Sequence, residues 1–125
     1  MKVIKSIKAP KAIGPYSQAV KSKDYVFTSG QIGIDPATGE IINKDFKSQA
    51  AQAFKNLENI LIDSGSSINK IIKLNIYLTD LDNFNILNSF LLDILDEEKL
   101  PARATVEVSR LPKDAYIEVD AIAEI

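Results

Sequence analysis

At 125 residues, with 46% hydrophobic and 26% charged side chains, the chain carries enough apolar material for one core and too much for a disordered segment, so it reads as a single domain over 1–125. A formal net charge of −2 with no long basic run leaves no electrostatic footprint for nucleic acid, although Lys2, Lys5, Lys8 and Lys11 make the first segment locally basic, as a solvated edge would be. Without cysteine or histidine there is no disulfide, thiol nucleophile, Ser-His triad or zinc site of the usual ligand types, so catalysis has to run on Glu, Asp, Arg, Lys, Tyr, Ser or backbone groups.

In chain order, Lys2 to Lys5 alternates Lys with aliphatic residues and predicts a short edge strand guarded against edge-to-edge pairing. Gly14-Pro15 marks a turn, followed by Tyr16, an aromatic with a polar tip. Ser17 to Ser22 and Tyr25 to Gln31 predict a second and third strand joined at Lys23-Asp24. Ser29-Gly30 is either a β-bulge or a place where a ligand or another strand approaches the backbone closely. Apolar residues from Phe46 to Leu61 recur at helical spacing, predicting a helix from an Asp45 cap to Ser64 with Gly65 as its stop. Lys70 to Thr79 alternates as a half-buried strand, with Ile72, Leu74, Ile76 and Leu78 on its apolar face. A second helix starts near Asp82, carries Phe84, Leu87, Asn88, Phe90 and Leu91, and ends in an acidic cluster before Pro101; Asn88 is either solvated or an amide offered to a ligand.

The last quarter alternates twice, from Ala102 to Ser109 and from Ala115 to Ile125, around a Leu111-Pro112-Lys113-Asp114 turn signal, and reads as a β-hairpin. Ala104, Val106 and Val108 would then share the core face with Ile117, Val119 and Ala121, leaving Arg103, Thr105 and Glu118 together on the polar face. In that register Arg103 lies diagonal to Glu118, roughly 7 to 8 Å away. Two readings stay open: a cross-strand ion pair worth roughly 0 to 1 kcal/mol, or a site where Arg103 grips a carboxylate and Glu118 handles a proton or a water. The whole pattern predicts an α+β domain, two helices covering one face of a mostly antiparallel sheet. The other face, with Tyr25, Phe27, Tyr77 and Tyr116, suits burial in an oligomer. The first residues lack the apolar run of a signal peptide and no stretch approaches a membrane span, so the expected location is cytoplasmic, with no membrane partner.

Taken together, Gly14-Pro15-Tyr16-Ser17-Gln18-Ala19, Ser29-Gly30-Gln31-Ile32, Asp82-Asn83-Phe84 with Asn88, Pro101-Ala102-Arg103, Val106-Glu107-Val108, Arg110-Leu111-Pro112-Lys113-Asp114 and Ile117-Glu118-Val119-Asp120-Ala121-Ile122-Ala123 resemble the RidA/YjgF family of reactive-intermediate deaminases over about Pro10 to Ala123. The resemblance implies a chorismate-mutase-like fold, a homotrimer with sites between subunits, no cofactor, and hydrolysis of small 2-imino acids or their enamine tautomers, such as 2-aminoacrylate, to 2-oxo acids and ammonia. It matches Arg103 to the carboxylate-binding arginine and Glu118 to the carboxylate that activates water. Tyr16, Ser29, Gly30, Phe84, Asn88 and Thr105 match the remaining substrate-binding positions. Thr105 stands where many members have Cys, which argues against thiol chemistry here. Two alternatives are a trimer that binds 2-oxo acids without turning them over and a ribonuclease or translation inhibitor, the latter disfavoured by the charge and the missing histidine.

Overall fold

The alternating lysines at the start form the edge they predict. In the computed structural model, which describes residues 1–125, β1 (Lys2–Ile4) pairs antiparallel with β2 (Ala19–Ser22), and β2 with β3 (Tyr25–Thr28) through a turn in which Lys23 takes a φ of 54°. The predicted third strand stops at Thr28 because the chain bulges. Phe27 lies opposite Ile122 but the next bridge joins Gln31 to Val119, so one extra residue sits on this strand across Ser29-Gly30. The bulge takes a backbone acceptor away from Ala121, and Thr28 Oγ1 accepts that N–H at 3.0 Å instead.

Helix α1 (Phe46–Asp63) begins where the sequence puts its cap: Asp45 accepts from the Ser48 backbone N–H at 3.0 Å and from its hydroxyl at 2.8 Å. It ends on Gly65 at φ 83°, with Gly65 N–H donating to Ile62 and Ser66 N–H to Leu61, the paired bonds of a Schellman stop. Its buried stripe, including Ala53, Leu57, Ile60 and Leu61, meets Leu74, Ile76, Val119 and Ala121 from the sheet and Leu87 and Leu91 from α2 (Phe84–Ile94), so both helices cover one sheet face.

Strand β4 (Ile71–Leu78) departs from its predicted pattern at one end. A register shift between Ile71 and Lys73 exchanges the two isoleucines, so Ile71 is buried and Ile72 is exposed, while Leu74, Ile76 and Leu78 face the core as expected.

The predicted terminal hairpin does not form. Strands β5 (Ala102–Glu107) and β6 (Ile117–Glu124) are separated by β4, in the order β1-β2-β3-β6-β4-β5, with β5 parallel to β4 and β6 antiparallel to it. The intervening segment passes around the end of β4: Val108 N–H donates to Leu78 and Thr79 N–H to the Tyr116 carbonyl, while Lys113 and Asp114 both adopt positive φ. Local alternation and a turn signal do not distinguish a hairpin from two strands that flank a third. Leu74, Ile76 and Leu78, each at most 1% exposed, mark β4 as the strand that needs neighbours on both sides.

The correction reverses a face. Opposite residues in a ladder share a face, and Arg103, Thr105 and Glu107 lie opposite Leu74, Ile76 and Leu78, so they occupy the helix side. Ala104 and Val106, expected in the core, lie opposite Asn75 and Tyr77 on the open side. Glu118 lies opposite Tyr77 and is also on the open side. Tyr25 and Phe27 are exposed on the open face, whereas Tyr116 precedes β6 and packs against the main core. No helix is long and apolar enough to cross a membrane.

Candidate active site

Strand β5 and helix α2 bring one group of the expected site residues together. Parallel pairing with β4 aims Arg103 up at α2, where its Nη1 donates to Asn88 Oδ1 at 2.8 Å and its guanidinium carbon lies 5.4 Å from the centre of the Phe84 ring. One amide and one aromatic face thus fix the orientation of the fork. Its other N–H groups make no bond within the chain, and the side chain is exposed. Asn88 is neither of the expected alternatives in pure form: its amide oxygen is engaged by Arg103 rather than by solvent. One position along the same face, the Thr105 hydroxyl is buried without a hydrogen-bond partner. A hydroxyl in that state costs stability unless something supplies a partner.

The second group gathers around Glu118 on the open side. Gly30 sits so close that a Cβ there would lie 2.7 Å from the Glu118 carboxyl carbon, so the missing side chain is what admits the carboxylate. The bulge at Ser29-Gly30 and the close approach are therefore one feature, with a side chain as the approaching group. Ser29 Oγ donates to the Ser17 carbonyl at 2.5 Å and Ser29 N–H to that of Gln18 at 2.9 Å, fastening the segment that presents Tyr16. Tyr16, Ile13, Gly30, Ile32, Pro112 and Glu118 are among the residues lining a cavity of about 50 Å³. Gln18, whose role the sequence did not reveal, is buried and ties down the wall of this cavity: its Oε1 accepts from Ser6 N–H at 2.6 Å and its Nε2 donates to the Pro10 carbonyl at 2.7 Å.

Burial, and secondarily the nearby Asp120 carboxylate, push the Glu118 pKa above the usual glutamate range. Asp120 itself accepts from Asn75 Nδ2 at 2.9 Å. Tyr77, directly across from Glu118, is raised above the usual phenol range by burial and by the Asp120 and Glu118 charges. Asp120 and Tyr77 are not among the expected site residues, although strict alternation places both on the face of Glu118.

Arg103 and Glu118 are not neighbours in one chain. They stand on opposite faces, two strands and three register positions apart, which puts their Cα atoms about 14 Å from each other. The ion pair is absent: the salt bridges present are Arg110 to Asp114 and Lys113 to Glu40. Each chain therefore presents two separate clusters, a guanidinium fork with unused donors on one side and a carboxylate of raised pKa beside a small cavity on the other.

Gly30→Ala tests the close approach. Glu118 is flexible enough to swing away from the new methyl, so thermal stability should change little, while displacement of the carboxylate should lower any Glu118-dependent turnover about tenfold or more. Melting curves and kcat/KM on the same sample check both halves of that expectation.

The endoribonuclease L-PSP family model matches residues 6–125. A RutC family protein of Pyrococcus abyssi is 50% identical over 121 residues, covering 97% of this chain and 94% of that protein. TdcF of Escherichia coli, which carries a reactive intermediate deaminase name, is 43% identical over 124 residues, 98% of this chain and 95% of its own. Among solved structures, RidA from a Psychrobacter species superposes with a TM-score of 0.96 at 44% identity over 100% of both chains. E. coli TdcF with bound serine superposes at 0.93 with 41% identity, over 100% of this chain and 99% of that one.

Proposed function

The chain belongs to the endoribonuclease L-PSP family, the RidA/YjgF proteins, and from that premise we propose that it is a cofactor-independent deaminase that hydrolyses small 2-imino acids and their enamine tautomers, such as 2-aminoacrylate, to 2-oxo acids and ammonia. The observation that carries this reading is the division of complementary chemistry between two faces of one sheet. Arg103 has unused donors and no anion, and Glu118 has a raised pKa and no cation partner. A homotrimer in which one protomer supplies Arg103, Asn88, Phe84 and Thr105 and its neighbour supplies Glu118, Gly30, Ser29 and Tyr16 completes both.

In such a site Arg103 grips the substrate carboxylate through parallel N–H bonds, and the unpartnered Thr105 hydroxyl gains a partner from the same ligand. The carbon bearing nitrogen is then held beside Glu118. Water gives a proton to Glu118 as its oxygen bonds to the iminium carbon. Glu118 returns that proton to the nitrogen of the carbinolamine, the C–N bond breaks, and the hydroxyl proton leaves with ammonia as ammonium. Iminium plus water becomes 2-oxo acid plus ammonium, with no change of oxidation state. A carboxyl with a pKa above the ordinary glutamate range is a stronger base for the first proton transfer than an ordinary glutamate. TdcF with bound serine supports a ligand of amino-acid size with a carboxylate in that relative.

A coupled assay that forms 2-aminoacrylate in situ, run beside native mass spectrometry, tests the proposal. The expected result is accelerated ammonia release by a species near three times 13.8 kDa. A monomer at micromolar concentration, or binding of 2-oxo acids without turnover, would overturn it, the latter in favour of a sensor. Salt-resistant RNA cleavage by a clean preparation would instead favour the activity in the family's name.

A further inference from the structure

Behind Glu118, on the open face of β4 and β6, lies a polar cluster that the proposed reaction has not used. Cross-strand pairing sets Tyr77 opposite Glu118 and Asn75 opposite Asp120, so four polar side chains occupy two alternate rungs of one ladder, on the same face with the Ile76–Val119 rung between them. Asn75 Nδ2 holds Asp120 Oδ1 at 2.9 Å, and the Tyr77 phenol is close enough to both carboxylates for each to act on it. On its other flank Glu118 lies against Gly30, where a Cβ would fall 2.7 Å from its carboxyl carbon.

We propose that Asp120 is a positioning residue for Glu118: held in place by Asn75 and facing Tyr77, its carboxylate adjusts the pH range over which Glu118 takes up and returns its proton. The inference rests on the deaminase reading for its catalytic consequence but on the cluster alone for its electrostatic one. Every group that faces Glu118 is consistent with it. From β4 come Tyr77 and, further along beside Ile122, Lys73. Tyr16 and Lys11 line the Glu118 cavity, and Lys11 makes no ion pair with Glu118. Lys113 is turned away to Glu40 and the Gly39 carbonyl, and Arg103 lies on the opposite face. Burial is the larger influence on Glu118, and Asp120 is the one charged group acting on it from nearby, with the same sign.

The sign of the effect is distinctive. A negative neighbour makes Glu118 a stronger base and keeps it protonated to higher pH, so removing the charge should let it ionise earlier and leave it weaker. Asp120→Asn should therefore turn substrate over about two- to fivefold faster than wild type on the acid limb of the pH profile and somewhat slower on the plateau. The two profiles cross. Asp120→Glu, which keeps the charge, should retain the wild-type shape. A residue that merely held the fold together would lower both limbs and leave the midpoint in place, and that outcome overturns the proposal.

Carboxyl-carbon NMR titration of Glu118 supplies the readout that needs no turnover. In wild type its curve should respond to the ionisation of Asp120, and in Asp120→Asn its midpoint should fall. A Glu118 curve that ignores Asp120 sinks the idea, and the wild-type measurement decides this even if the variant does not fold. If wild type shows no imine hydrolysis at any pH, the deaminase reading fails on that result, and the titration still decides separately whether Asp120 governs Glu118.

Discussion

Replacing Glu118 by glutamine should lower imine hydrolysis about 10²- to 10⁴-fold, the range for loss of a general base, while 2-oxo acids bind as well as before or slightly better. Glutamine keeps the shape that Gly30 admits and cannot take a proton from water. A negative charge near the bound carboxylate is also gone. Stability should move the opposite way from activity. Because the native state holds the Glu118 pKa above its unfolded value, its contribution to stability is fully present below the ordinary glutamate range and is lost as pH rises through the raised one. Wild type thus carries an ionisation cost at neutral pH that the glutamine variant lacks, so the variant should melt at an equal or higher temperature. Kinetics, oxo-acid titrations and melts at neutral pH check the three parts. Loss of binding together with turnover would make Glu118 a structural residue, and unchanged turnover would move the proton chemistry to Tyr16, Ser29 or the backbone near Gly30.

How far the sequence reaches is visible in the two strands that carry the site. The alternation in Ile117 to Ala123 is enough to place Glu118 and Asp120 on one face and the aliphatic residues in the core, because that strand is central and its inner face is fully buried. The same rule misplaces Arg103. Residues 102–107 form an edge strand whose helix-side positions are polar, so hydrophobicity no longer marks the inner face. The parity then hangs on the pairing partner, and the turn signal at 111–114 suggested the wrong one. Caps behave differently because they are local: Asp45 with Ser48 and Gly65 with its positive φ are legible from a few residues. The clusters are not. The bond from Arg103 to Asn88 spans two elements, and the approach of Glu118 to Gly30 joins residues far apart in sequence, so only their resemblance to known motifs pointed to both.

The division of the site between faces has a consequence that a single-chain pocket would not share. Arg103→Lys keeps a charge but not the planar fork fixed by Asn88 and Phe84, and should lose roughly ten- to hundredfold in kcat/KM, the equivalent of about 1.5 to 3 kcal/mol for a charged hydrogen-bonded contact. Glu118→Gln should lose more. If each working site takes Arg103 from one protomer and Glu118 from the next, trimers reassembled from equal amounts of the two variants contain some sites where both wild-type residues meet. Random mixing around a three-fold ring restores about a quarter of the sites. Activity of the mixture should therefore rise well above the mean of the two parents after unfolding and refolding together, and should not rise when the folded variants are mixed without subunit exchange. A mixture that stays at the parental mean, although native mass spectrometry shows hybrid trimers, would mean that the fork and the base never serve the same substrate, and the inter-subunit site would have to be abandoned.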